Sequence, residues 1–270
     1  MAGVNSREIA VVVGGLGGIG GAIMRKLAAE GLHAICADRG SGSSRPDSDG
    51  SFEFVECDIT DPLSVDTAFA ALADRHGRLD VLVNAAGIHM QKLLVDTGPE
   101  EWDRIQLVNA RGPFLTCRAA ASTMMRARRG RIVNITTRLG FGNPYSSAYM
   151  ASKNALWGLT QCLAVELAGY GITVNAVAPG HVGPGTGMEK QFREKAEKLG
   201  LSWQDFEAQV IKTIPVGRWC RPEDVAAAVS WVASPAAAFV TGETINVTGG
   251  FVGYGMAPPV EERFTEGTAG

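Results

Sequence analysis

The stretch Gly14-Gly15-Leu16-Gly17-Gly18-Ile19-Gly20 follows directly on the apolar run 9–13, Ile-Ala-Val-Val-Val, and leads into a helical pattern. A short β-branched run, a glycine-dense turn and a helix, in that order, open a βαβ unit. Glycines let the backbone bend sharply and come close to a phosphate. The helix start then offers free N–H groups and the positive end of its dipole to the anion. A glycine cluster alone is also compatible with a plain flexible turn, so the rest of the chain has to decide.

Outward from this turn, apolar runs at 33–37, 52–57, 81–84, 132–135, 173–177 and 244–247 read as strands, and 20–30, 62–76 and 148–168 as helices. Such alternation predicts an α/β fold, a Rossmann-type doubly wound parallel sheet of about seven strands with helices on both faces. The strand runs are nearly continuous in apolar character, as expected where both faces are covered. The 270 residues fit a single dinucleotide-binding and catalytic domain over 1–270. Segment 40–50, rich in Gly, Ser and Asp around Pro46, reads as a loop. Segment 181–215 is a longer excursion with an amphipathic stretch at 188–214, and is expected to form a substrate-binding lid. Residues 251–270 form a C-terminal tail expected either to fray or to dock on a neighbouring subunit.

With 46% apolar and 20% charged residues the chain should fold as a soluble protein. A net charge of -3 without a basic stripe speaks against a nucleic-acid partner. The basic run 126–131 reads as a solvated helix end. Five scattered cysteines without a CxxC pair argue against a disulfide framework and for a reducing, cytoplasmic setting. Four dispersed histidines show no metal-ligand spacing, so no metal is expected. No signal-peptide layout and no membrane-length apolar run is present.

The second strand ends at Asp38, 18 residues after Gly20. A carboxylate there accepts both hydroxyls of an adenosine ribose and repels a 2′-phosphate, which favours NAD over NADP. Arg39 beside it is a basic residue that could tolerate the phosphate. Asp58 is placed either to meet the adenine edge or to cap the helix before Pro62. Tyr149 and Lys153 stand four apart on one helical face, at the carboxyl edge where ligands bind in such sheets. An ammonium beside a phenol is expected to lower the phenol pKa and make it a usable base.

These motifs taken in order resemble the short-chain dehydrogenase/reductase family over roughly residues 7–253. The resemblance rests on the glycine turn, Asp58, the run Asn84-Ala85-Ala86-Gly87, Asn109, Tyr149-Met150-Ala151-Ser152-Lys153, Asn175, Pro179-Gly180, Arg221-Pro222-Glu223-Asp224 and the late Gly249-Gly250. It implies that Tyr149 is the acid/base, that Lys153 tunes it and binds ribose, and that Asn109 supports a water-linked proton relay. The family's catalytic serine is replaced by threonine. Counting from the strand end selects Thr137, while counting back from Tyr149 selects Thr136; Thr137 is preferred because strand ends are better anchors than loop lengths. Cofactor contacts are expected at Gly14, Leu16, Gly18, Ile19, Gly20, Asp38, Asp58, Ile59, Asn84, Ala85, Gly87, Tyr149, Lys153, Pro179, Gly180, Val182 and Thr186. Pro184 stands where the family often has a threonine for the carboxamide, which leaves Thr186 or the Val182 backbone for that task.

The implied reaction moves a hydride between NAD(H) and a small or medium secondary alcohol or ketone. The alternatives are an NADPH-dependent reductase of ketoacyl type and a non-catalytic nucleotide-binding protein of the same fold. Substrate contacts are expected at His89, Thr137, Leu139, His181 and Met188, with Phe141 and Tyr145 nearby. The two histidines also read as ordinary surface-loop residues. Met188, Phe192, Leu201, Trp203 and Phe206 read either as the lid's apolar underside or as plain core of the excursion. The resemblance further implies a homo-oligomer, a dimer or homotetramer, paired through the helices that hold Asn109 and Tyr149.

Overall fold

The computed structural model describes residues 7–40, 52–138, 145–183, 186 and 188–251. Seven parallel strands run in the order β3-β2-β1-β4-β5-β6-β7. They are β1 (Ile9–Val13), β2 (His33–Asp38), β3 (Glu53–Glu56), β4 (Val81–Asn84), β5 (Gly130–Ile135), β6 (Ile172–Pro179) and β7 (Thr244–Val247). The helices are α1 (Gly18–Ala29), α2 (Pro62–His76), α3 (Pro99–Gln106), α4 (Gly112–Ala127), α5 (Ser147–Ala168), α6 (Met188–Lys198), α7 (Trp203–Lys212) and α8 (Pro222–Val232). Strand order reverses between β1 and β4, so a crevice opens at their carboxyl ends.

Alternation along each strand sends side chains to two separate cores. On one face Val11, Ile35, Leu82 and Ile132 pack with Val65 and Phe69 of α2, Leu115 and Met124 of α4, and Leu167 of α5. On the other, Val12, Cys36, Val83 and Val133 pack with Ile23, Met24 and Leu27 of α1 and Val225 and Val229 of α8. Covering both faces explains why the strands read as unbroken apolar runs. On α5, Leu156, Ala164 and Leu167 are buried while Trp157 and Val165 are exposed, so one face of the helix meets the core and another faces outward.

Polar groups lock the layers. Thr116 donates to Asn84 Oδ1 at 2.6 Å, Asn84 to Asn134 Oδ1 at 2.8 Å, and Asn134 to Thr160 at 2.9 Å. This chain crosses α4, β4, β5 and α5, and all four side chains are buried. Each member satisfies a neighbour that would otherwise leave a desolvated polar group unpaired.

Several sequence expectations change. The amphipathic stretch 188–214 is two helices, α6 and α7, broken at Gly200, whose φ of +67° suits glycine. Trp203, Phe206 and Trp219 form a local aromatic core there, with Phe206 and Trp219 buried. The run 126–131 is not simply a solvated helix end. Arg129 and Arg78 both pair with Asp80, and Arg131 pairs with Glu8. Asp80 is 2% exposed and also accepts from Ile9 N–H at 2.8 Å, so one carboxylate joins the starts of β1 and β4. Its place just before a strand carries no sign of this, because the two arginines reach it from separate segments. Segments 41–51 and 252–270, holding most of the expected loop and tail, lie outside the described residues.

Asp80→Ala strands the Ile9 N–H and leaves Arg78 and Arg129 without their carboxylate. Because Arg129 is half exposed, the expected loss is about 2–3 kcal/mol of unfolding free energy, below the range for a fully buried pair. Urea denaturation monitored by circular dichroism checks it, and an unchanged midpoint would exclude the clamp.

Candidate active site

The carboxyl ends of several parallel strands converge on the crevice. The turn after β1 is held by Gly14 N–H donating to Ala37 O at 2.8 Å and Gly17 N–H donating to Gly14 O at 3.1 Å. Gly14 has a φ of +82°, and a Cβ there would sit 2.5 Å from Ala86 N. A Cβ on Gly20 would run into the Gly14 carbonyl. Helix α1 then starts at Gly18 with no side-chain cap and no acidic residue in its first turn. The cradle is therefore bare backbone at a positive dipole end, which fits a pyrophosphate.

Asp38 sits over this turn, its Oδ2 accepting from Leu16 N–H at 3.1 Å and its Oδ1 from Arg39 N–H at 2.8 Å. Asp58 Oδ1 accepts from both the backbone and the hydroxyl of Thr60, at 2.9 and 2.7 Å, and these bonds hold its carboxyl below its ordinary range. The cap of α2 is Asp61, which accepts from Leu63 N–H, so the capping alternative for Asp58 falls away. Ile19 packs beside the core on the α1 face.

Two expected cofactor residues turn inward instead. The Asn84 carboxamide is engaged in the buried network described above, because β4 is central and its end side chain faces α4. Ile59 is buried against Gly112, whose Cβ would lie 2.7 Å from Ile59 Cδ1. Their side chains are thus spent on the core, which leaves their backbones for a ligand. Ala85, whose N–H donates to Val13 O at 2.9 Å, continues β4 toward the crevice.

The candidate reacting groups come from three elements. Asn109 lies in a π-helical segment, Leu107–Arg111, between α3 and α4 rather than in one long helix. Gly112 N–H reaches back five residues to Leu107 O. Pro113 has no N–H to give the Asn109 carbonyl, its α-helical partner, so the backbone opens into the wider turn there. The fully buried Asn109 carboxamide is clamped at both ends by Ile88, accepting from its N–H at 2.9 Å and donating to its carbonyl at 2.8 Å. It also donates to Ser152 Oγ at 3.1 Å, which in turn donates to Tyr149 O at 2.7 Å. Sequence alone assigns Ser152 no role, although its offset of three from Tyr149 on a helix is the signal that could have found it.

Lys153 is 5% exposed and donates to Ile135 O at 2.8 Å. Burial lowers its pKa to about 8. Gly87 leaves room for it: a Cβ there would stand 3.3 Å from Asn109 Oδ1 and 3.5 Å from Lys153 Nζ. Thr137 is the threonine whose side chain acts on the Tyr149 phenol, while the Thr136 hydroxyl donates to Val177 O at 3.4 Å. Thr137 is the threonine that the strand-end count names. The expected depression of the Tyr149 pKa is reversed. Burial pushes the phenol up to about 12, against the lowering effect of Thr137, and Lys153 Nζ stands 6.0 Å from the ring centroid, bonded to a carbonyl.

Around this centre, His89 packs edge-on to Tyr149 with centroids 4.5 Å apart. His181, after β6, packs at a tilt against Phe251 with ring centroids 4.6 Å apart, and burial lowers its pKa. Arg138 holds Phe251 by its carbonyl, tying the end of β5 to the far end of the described chain. Pro179 ends β6 and Gly180 N–H donates to Val247 O at 2.9 Å. Val182 bridges to Cys220. Thr186 donates to Gly183 O at 3.0 Å and accepts from Met188 N–H at 3.4 Å, so its hydroxyl starts α6. Tyr145 is exposed, with a φ of +67°. Leu139, Phe141 and Pro184 lie outside the described residues.

The family described as Enoyl-(Acyl carrier protein) reductase matches residues 14–252. The short-chain reductase protein NovJ of Streptomyces niveus is 37% identical, over 92% of this chain and 95% of its own. The 3-oxoacyl-[acyl-carrier-protein] reductase FabG of Vibrio cholerae is 34% identical, over 90% and 96%. The crystal structure of a point variant of actinorhodin polyketide ketoreductase with NADPH superposes with a TM-score of 0.86 at 33% identity, covering 94% of this chain and 100% of that one. These likenesses make the chain an oxidoreductase of the short-chain dehydrogenase/reductase family.

Proposed function

We propose that the chain moves a hydride between NAD(H) and a small or medium, partly apolar secondary alcohol or ketone, with Tyr149 moving the proton. The observation that carries this reading is the buried Lys153 ammonium, hydrogen-bonded to Ile135 O at the carboxyl edge of the sheet, one helical turn from the buried Tyr149 phenol on which Thr137 acts. A substrate oxygen held by both hydroxyls receives a proton from one and alignment from the other. The nicotinamide, when bound, supplies or takes the hydride.

The chain's own residues have distinct tasks. The turn from Gly14 to Gly20 holds the pyrophosphate by its backbone. Asp38 accepts the ribose hydroxyls, and its negative charge opposes a 2′-phosphate. Lys153 offers its remaining ammonium protons to the nicotinamide ribose. Asn109 fixes Ile88 and, through Ser152, the first turn of α5, on which Tyr149 stands. His89, His181 and Met188 are proposed to line the substrate side.

A second reading, NADPH-dependent reduction of a ketoacyl-type substrate, is favoured by the names of the reductase relatives and by the NADPH in the neighbouring structure. Arg39 adds to it, since a cation adjoins Asp38. The test measures NADH and NADPH oxidation over a panel of ketones and 3-oxoacyl thioesters. Under the first reading NADH binds at least about tenfold tighter than NADPH. Tyr149→Phe is expected to lose about a thousandfold in kcat/KM and Thr137→Val about tenfold or more, while Thr136→Val stays within about twofold. Near wild-type turnover by Tyr149→Phe would exclude the assignment, and a preference for NADPH would select the second reading.

The protonation states give a direction. A phenol with its pKa raised to about 12 is protonated at neutral pH and donates, which suits carbonyl reduction. Lys153, lowered to about 8, keeps its charge below that pH and loses it above. Reduction is therefore expected to be level between about pH 6 and 7.5 and to fall through about pH 8. A pH profile of kcat/KM that rises through that interval would contradict the assignment.

A further inference from the structure

At the amino edge of the sheet, opposite the catalytic crevice, three side chains from three elements converge. His33 opens β2, Glu53 opens the edge strand β3, and His76 ends α2. His33 Nε2 lies 2.9 Å from Glu53 Oε2, and His76 Nε2 lies 3.1 Å from the same oxygen and 3.3 Å from Oε1. We infer that His33, Glu53 and His76 form a binding site for a divalent transition-metal ion, with zinc as the natural probe. The site is remote from the catalytic crevice and does not depend on what reacts there.

The geometry carries it. All three donor atoms lie within 4.8 Å of one another. A tetrahedral zinc ion with bonds of about 2.0–2.1 Å holds its ligands about 3.3–3.4 Å apart, so the two histidine–glutamate distances need open by only a few tenths of an ångström, and the two imidazole nitrogens, within 4.8 Å of each other, take the same spacing around the ion. Two imidazole nitrogens and one carboxylate oxygen form a borderline donor set that suits zinc, nickel or copper better than magnesium or calcium. The imidazole planes are inclined at 49° with centroids 5.3 Å apart, so the rings converge on one point without stacking flat. Side-chain exposures of 29%, 17% and 12% for His33, Glu53 and His76 hold the ligands in place and leave access for water as a fourth ligand.

Arg75 is the competing cation. It donates to Glu53 Oε1 but is 60% exposed, so it can swing into solvent at little cost. A bound ion would take over the charge balance of Glu53 and tie the edge strand to β2 and α2. Glu53 is also the first residue of a strand that pairs on only one side.

The experiment titrates zinc into the untagged full-length chain at pH 7.5 by calorimetry, with thermal melting in parallel. One zinc per chain with micromolar affinity is expected, together with a melting temperature that rises with zinc concentration. His33→Gln and His76→Gln keep an amide that can bond Glu53, and each should weaken zinc binding at least about tenfold. Cys162→Ser, which removes the exposed thiol, should leave binding unchanged. Circular dichroism establishes that the variants are folded, and the two histidine variants stand in for one another if either is not. The inference is overturned if the wild type binds no zinc, if folded histidine variants bind as it does, or if Cys162→Ser abolishes binding. Any of these would leave the cluster as a hydrogen-bonded clamp only.

Discussion

The bond between the Lys153 ammonium and the Ile135 carbonyl sets the terms for the centre of this protein. A charged group removed from water must be hydrogen-bonded or it gives up its proton. Here one carbonyl at the end of β5 answers part of that demand and pins α5 to the strand edge. Once the lysine is fixed, Tyr149 one turn earlier is fixed beside it, and the strand end that supplies Ile135 also supplies Thr137 two residues later. Gly87 completes the arrangement by its lack of a side chain, since the space a Cβ would take borders both Asn109 and Lys153.

The same constraint explains the break in the helix. Pro113 removes one α-helical donor, the turn widens, and the carboxamide can meet both polar groups of the Ile88 backbone. That clamp reaches the Tyr149 backbone through Ser152, so this turn of α5 rests on a chain of hydrogen-bonded polar atoms and not on packing alone. Burial has a further effect on the chemistry. It raises the tyrosine and lowers the lysine, so that near neutral pH the phenol holds its proton firmly while the ammonium comes closer to losing its own.

Much of this is legible in the residues themselves. The glycine turn, the order of strands and helices, Asp38 at a strand end, and the Tyr149–Lys153 spacing are local patterns, and each states a backbone or side-chain requirement that only a few conformations meet. Single residues are harder to read where two local rules compete. Asn84 carries the same polar group whether it faces a crevice or a buried partner, and only the position of α4 decides. Asp58 and Asp61 both precede Pro62, and the backbone conformation selects Asp61 as the cap. Spacing points the Tyr149 pKa in the wrong direction because it reveals a nearby lysine but not the water that burial removes.

The α/β alternation, the phosphate turn and the residue types of the reacting cluster are written in the chain, because they follow from periods and spacings within a few turns. Long-range packing settles the rest: which threonine meets Tyr149, which carboxylate joins Arg78 to Arg129, and that His33 and His76 share Glu53. Those pairings cross up to tens of residues and depend on strand register and helix placement, which no local pattern encodes. The glycine turn shows both sides of this. Its residues announce a close backbone approach, but it is the neighbouring strand end, at Ala86, that makes a side chain at Gly14 impossible.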